Sequence, residues 1–172
     1  EGWFLPVTPG SKKITLGGMI ASDIHGKNHH KVGNFSNFIF SFKLLDKKKK
    51  LIECSKNKNS LIFNNTIGGM GLTGVIYSCK FKLIKINSDL ILQEKFKTEN
   101  LKDTILKLKQ SNKWEYNVGW IDTSAKNHKL GRSIIFKGKH IKTTKKNLLS
   151  FEEKTILTFK EIFPNWLMSQ FI

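Results

Sequence analysis

The sequence predicts an α+β fold in two parts: a mixed sheet with short helices over residues 1–86, and the start of an antiparallel sheet with helices on one face over 87–172. Three observations lead there. Short stretches of period-two alternation recur between Gly, Pro, Asn and Asp punctuation, as separate strands require. Only one longer stretch, beginning near Leu101, has helical spacing. The glycine-rich character of the chain stops near Asn87-Ser88, which places the boundary between the parts.

In chain order, Trp3 to Val7 is a short apolar run closed by Pro9-Gly10, a strand entering a turn. Ile14-Thr15-Leu16 reads as extended, Gly17-Gly18 follows, and Met19 to Ile24 suits one or two helical turns. Gly26 to Asn34 is polar and loop-like. Phe38, Phe40 and Phe42 alternate with Ile39, Ser41 and Lys43, which predicts a strand with one aromatic face. A charged turn, Asp46 to Lys50, and a return strand, Leu51 to Cys54, complete a hairpin. Ser60 to Asn65 reads as a helix start or turn, and four glycines then fall between Gly68 and Gly74. Val75 to Leu83 and Leu90 to Phe96 read as strands. Leu101, Ile105 and Leu108 sit at i, i+4 and i+7 among lysines, an amphipathic helix that Thr98 or Asn100 caps. Tyr116, Val118 and Trp120 alternate as a strand, with Ser133 to Phe136 and Ile156 to Phe159 as further strands. Phe163-Pro164 breaks the chain before an apolar final stretch, Asn165 to Ile172, whose abrupt end reads as truncation.

With 39% hydrophobic residues among 172, the chain is expected to fold instead of remaining disordered. No apolar run approaches the roughly 20 residues a membrane helix needs. The first residues lack both the pattern of a signal peptide and an initiating Met, so the sequence reads as a processed or excised segment. A formal charge of +17 invites a polyanionic partner. Its make-up argues otherwise, because Arg132 is the single arginine among 30 basic residues, and base and phosphate recognition favours the planar fork of arginine. Abundant Lys, Ile, Asn and Phe fit AT-rich coding. A lysine-rich nucleic-acid-binding module is the alternative of a different class, but only weak, nonspecific binding at low salt is expected. Cys54 and Cys79 show no metal-type spacing and read as small buried side chains in a reducing, cytoplasmic compartment.

Two glycine clusters and one polar segment could carry chemistry. Gly10, then Thr15-Leu16-Gly17-Gly18 ahead of a short helix, would let backbone N–H groups approach a pyrophosphate. On its own this signal is weak, because double glycines at tight turns are common for purely structural reasons. The second cluster, Gly68 to Gly74, matches neither GxGxxG nor GxxxxGK[ST], so it reads as a special backbone path beside something bulky or as a structural turn. Asp23-Ile24-His25-Gly26-Lys27-Asn28-His29-His30 holds three histidines and an acid. A metal site there is disfavoured, because Gly26 interrupts the i, i+4 pair His25 and His29 and no second ligand cluster appears except the lone His128 and His140. Hydrogen-bond donors around a buried polar ligand, with Lys27 supplying charge, is the more economical role.

The block PVTPGSKKITLGGMIASDIHGKNHH, Pro6 to His30, resembles the flavin-binding domain of the vanillyl-alcohol oxidase (PCMH-type) superfamily of FAD-binding oxidoreductases. The likeness continues in TIGGMGLTGVI (Thr66 to Ile76), YNVGWID (Tyr116 to Asp122), LGRS (Leu130 to Ser133) and FPNWL (Phe163 to Leu167). It implies the second half of a PCMH-type FAD-binding domain followed by the start of a substrate (cap) domain. It implies that Gly10, Thr15, Leu16, Gly17 and Gly18 line the FAD diphosphate, that Ser22, Asp23, Ile24 and His25 pass along the flavin, and that Ile76 packs against it. His25 and Lys27 would face the substrate, with Trp120, Asp122 and Arg132 on the cap side, although Trp120 reads equally well as an ordinary core aromatic. Ser22 stands where the family has Cys. The implied activity is hydride transfer from a sugar hydroxyl carbon to flavin. The implied substrate is a sugar or polyprenyl-phosphate sugar, with another sugar, an alditol or an aldonolactone as the alternative. A short-chain dehydrogenase/reductase acting on the keto product is the implied partner. Family members also carry an earlier glycine-rich loop and a later active-site lysine and tyrosine. The resemblance therefore implies that this stretch alone binds FAD poorly and lacks turnover.

Overall fold

The computed structural model describes residues 2–142. The strand expected at Ile156 to Phe159 and the FPNWL block lie outside the described residues. Among the described residues, eight strands and four α-helices form two three-stranded sheets and a two-stranded ribbon, an α+β arrangement. Every strand pairing among the described residues is antiparallel, where a mixed sheet was expected for the first half.

The ribbon pairs β1 (Trp3–Phe4) with β5 (Ile84–Lys85). The first sheet has β2 (Ile39–Leu45) at its centre, flanked by β3 (Leu51–Ser55) and β4 (Val75–Phe81). The hairpin between β2 and β3 forms as read, with Asp46 Oδ1 accepting the N–H groups of Lys48 and Lys50 at its tip. The aromatic face does not form. A register shift between Ile39 and Ser41 turns Phe40 outward, 61% exposed, while Ile39 and Phe42 are both buried. Such an irregularity resets the two-residue alternation locally, which side-chain pattern alone does not reveal.

Three helices serve this sheet: α1 (Leu16–Ala21), α2 (His29–Val32) and α3 (Ser60–Thr66). Gly17 and Gly18 lie inside the first turn of α1 instead of ahead of it, and the cap is Thr15, whose hydroxyl accepts from the Gly18 amide. The second glycine cluster is a structural turn. Gly68, Met70 and Gly71 all have positive φ, and the Gly68 and Met70 amides donate to the Ile20 and Ala21 carbonyls, satisfying the end of α1. The core collects Val7, Met19, Ile20, Phe35, Ile39, Phe42, Leu44, Cys54 and Phe63, and Phe42 stacks on Phe63 at 5.1 Å. Cys54 and Cys79 flank Phe42 on the two neighbouring strands. They sit about 10 Å apart by strand spacing, beyond disulfide reach, and burial pushes both thiols up.

The second sheet places β8 (Ser133–His140) between β6 (Ile91–Thr98) and β7 (Tyr116–Ile121), with α4 (Leu101–Gln110) across one face. Asn100 caps α4 through the Asp103 amide, while Thr98 goes elsewhere. Thr98, Thr104 and Ser133 hydroxyls meet at 2.7 to 3.0 Å beneath the helix, and the single Thr104 hydroxyl proton has the Asn100 and Gly131 carbonyls within reach as acceptors. The opposite face is not covered by α4, because β-strand side chains alternate.

Candidate functional site

The N-terminal segment and the histidine-rich loop are fastened to each other first. Asn28, buried, donates to the Pro6 carbonyl at 2.6 Å and accepts from the Thr8 amide, and the Lys27 amide donates to the Thr8 carbonyl. Gly26 is required at this crossing, since any Cβ there would land on the Thr8 backbone. The same loop then grips the second sheet. Lys27 accepts at its carbonyl from the Asn117 amide at 2.7 Å, His30 Nε2 lies 3.0 Å from the Trp114 carbonyl, and Lys31 donates to the Lys113 carbonyl. Much of the polar density of this segment is therefore the joint between the two sheets.

That joint borders a cleft of about 660 Å³. Phe4, Thr8, Gly10 and Lys27 contribute to its lining, together with Tyr116, Val118, Trp120, Phe136 and His140 of the second sheet. Ile86, Asp89, Ile91 and Gln93 also line it. Its polar end is ordered. Tyr116 Oη lies 3.1 Å from His140 Nε2, and His140 Nδ1 lies 2.8 Å from the Ser88 carbonyl. Burial pushes the Tyr116 phenol up, with the nearby Thr8 hydroxyl acting against that shift. Thr8 Oγ1 is buried and has no hydrogen-bond partner of normal geometry among the described residues.

The residues expected from sequence fall into three groups. Gly10 and Lys27 border the cleft. Thr15, Leu16, Gly17 and Gly18 form the open start of α1, where the Leu16 and Gly17 amides take no acceptor among the described residues. A Cβ on Gly17 would lie 3.9 Å from Ile76, so these two positions are neighbours. Gly17 and Gly18 are half-buried rather than sealed in the interior, so an oxygen-rich group could reach them, which is what a diphosphate requires of its cradle. The third group is turned to structural work or to solvent. Asp23 accepts from Asn34 Nδ2 and from both the amide and hydroxyl of Ser36. Ser22 ends α1, and Ile24 packs against the core. His25 is exposed, edge-on to His29 at 5.5 Å, and is not part of the cleft lining. No group of three His, Cys, Asp or Glu among the described residues is placed to hold a metal ion.

Trp120 is 72% exposed on the cleft face, which excludes the core-aromatic reading. Asp122 and Arg132 lie together at the far end of the sheet, paired at 2.8 Å, in a shallower hollow that shares Trp120. Hydrogen bonds from Ser124, then Arg132, hold the Asp122 carboxyl at about 2. Sequence reading missed Thr8, Tyr116 and His140 as site residues. Tyr116 looked like an ordinary strand position and His140 like an isolated histidine, and only the antiparallel pairing of β7 with β8 brings them together.

The site thus has the outline of a ligand cleft roofed by a sheet, and the glycine-bearing start of α1, outside the lining of that cleft, has amides open to an oxygen-rich group. The resemblance to FAD-binding oxidoreductases of the vanillyl-alcohol oxidase superfamily is borne out by comparison with known proteins. The chain is 33% identical, over 99% of its length, to decaprenylphosphoryl-beta-D-ribose oxidase of Mycolicibacterium smegmatis. It is also 30% identical over 81% of its length to an uncharacterized protein in the mprA 5' region of Streptomyces coelicolor. Delta(24)-sterol reductase of Rattus norvegicus matches 48% of the chain at 26% identity. The chain spans about two fifths of the length of the first two relatives, 39% and 38%. No protein-family model matches. No described helix is long and apolar enough to cross a membrane.

Proposed function

We propose that this chain is part of an FAD-dependent oxidoreductase that oxidises a sugar hydroxyl, with a polyprenyl-phosphate-linked ribose as the first substrate to try. The observation that carries the reading is 33% identity sustained along 99% of the chain to an oxidase of that substrate class. The cleft supports it, because one wall is aromatic and apolar while its far end gathers hydroxyl and imidazole groups, the mixture a sugar ring demands.

In this reading residues 1–86 belong to the flavin-binding part and 87–172 to the substrate part. Gly10 and the stretch Thr15 to Gly18 would hold the diphosphate of FAD, with the Leu16 and Gly17 N–H groups as the donors left open by the Thr15 cap, and Ser22 to His25, through their backbone, and Ile76 would border the flavin. When bound, FAD supplies the two-electron acceptor. Lys27, at the cleft edge, steers and orients an oxygen-bearing substrate, and His25 stands on the same loop two residues away. Trp120 and Val118 give the sugar ring an apolar platform and exclude water. A short-chain dehydrogenase/reductase that acts on the keto product is the proposed partner.

The test is anaerobic mixing of the flavin-loaded protein containing this chain with polyprenyl-phosphate ribose, an alditol and an aldonolactone in parallel. Loss of the oxidised-flavin absorbance with the first, and slower or no loss with the other two, is the expected result. A protein that takes up no flavin, or a flavin that none of the three reduces, would overturn the reading.

A further inference from the structure

The cleft contains one titratable pair that neither the resemblance nor the comparisons assign. His140 Nδ1 faces the Ser88 carbonyl at 2.8 Å. A carbonyl only accepts, so Nδ1 carries the proton and the neutral ring presents its Nε2 lone pair to Tyr116 Oη at 3.1 Å. Two aromatic rings flank the imidazole, and a third contact fixes the backbone that carries it. Phe4 meets it edge-on at 5.4 Å, the Tyr116 ring does so at 5.7 Å, and Glu115 Oε2 accepts from the His140 backbone amide at 2.9 Å. Beside this pair, the buried Thr8 Oγ1 has a hydrogen bond to give and no partner of normal geometry to give it to. A cleft whose end offers a hydroxyl in need of a partner and a phenol backed by an imidazole is built to receive a hydroxylated ligand.

We infer that Tyr116 and His140 form a proton relay that accepts the hydroxyl proton of the substrate, with Thr8 hydrogen-bonding the same ligand. The inference rests on the proposed sugar oxidation and adds its proton acceptor. The substrate O–H bond breaks and its proton goes to Tyr116 Oη, while the phenol's own proton passes to His140 Nε2. The carbinol C–H bond breaks, and its hydrogen leaves with both electrons for an oxidised flavin. The substrate becomes a carbonyl compound, and His140 becomes an imidazolium stabilised by its bond to the Ser88 carbonyl. Burial of the phenol suits this role, because it keeps Tyr116 a protonated conduit instead of a standing phenolate. Of the two side chains the family likeness sets toward the substrate, Lys27 borders the same cleft as a donor only, and His25 lies outside its lining.

Two measurements test the relay. In the flavin-loaded protein, Tyr116→Phe and His140→Gln each slow sugar-dependent flavin reduction by about 10²- to 10⁴-fold, with flavin content retained and substrate dissociation constants little changed. His140→Gln also removes the acid limb of the kcat/KM profile. Lys27, Asp89, Lys137 and Glu115 are the other charged groups around the pair, and their substitution leaves that limb in place. Variants that reduce flavin as fast as the parent, or an acid limb that survives in His140→Gln, sink the relay while leaving the oxidase reading standing. A parent protein that reduces no flavin sinks both. The second measurement needs no cofactor: ¹⁵N NMR of the histidine side chains is expected to show His140 as the Nδ1–H tautomer, with its Nε2 signal moved by Tyr116→Phe. An Nε2–H tautomer would overturn the proposal directly.

Discussion

The two sheets are stabilised by different chemistry. Nine buried apolar residues converge on the first sheet, and the Phe42–Phe63 stack lies among them. Beneath α4 the second sheet buries three hydroxyls, with Ile135 the one fully buried apolar side chain there among the described residues. Hydrophobic burial is tolerant of geometry, whereas a hydroxyl trio works only if each oxygen keeps its partner. The first sheet is therefore a rigid base, and the second is a plate held by directional bonds with its far face left open for a ligand.

The comparison breaks most visibly at Phe42. Phe42→Ala leaves a cavity at the centre of the base and costs about 3–5 kcal/mol, read as a lower urea midpoint. A loss under about 1 kcal/mol would mean that the core is not the base it looks like. Thr104→Val keeps the shape and removes the hub of the hydroxyl trio, for about 1–3 kcal/mol, with faster amide exchange in β6 and β8 and little change in β2. Spread of the effect to β2 would show the two sheets to be one cooperative unit. Asn100→Ala removes the cap of α4 for about 1 kcal/mol, seen as a smaller midpoint shift of the same sign.

The smallest effect is acid-dependent. The folded-state pKa of Asp122, about 2, lies below its unfolded value, so its contribution is complete above about 4 and fades as pH falls toward 2. Asp122→Asn is expected to flatten that part of the thermal-unfolding profile. Because the group is exposed, the slope weakens further in high salt.

Period-two and helical spacing located the hairpin, α4 and the strands of the second sheet within a few residues, because those patterns reflect which face each element buries. Phe40 escaped because a register shift depends on the partner strand, not on its own neighbours. Gly17 and Gly18 were read as preceding a helix, yet Thr15 caps it and draws both inside. Asp23, Asn28 and His30 carried a chemical look for a structural reason: a loop that crosses another segment and grips a sheet needs polar side chains for its bonds. Tyr116 and His140, 24 residues apart, become neighbours only through strand pairing, so nothing local marked them.

The alternation of β7 and β8 has an evolutionary consequence. Trp120, Val118 and Phe136 face the ligand space, while the side chains between them secure α4 or point away from the cleft. Replacing any of the three recontours the wall without disturbing the bonds beneath the helix. Selection can thus retune which molecule the pocket prefers while the chain continues to reach the same folded state.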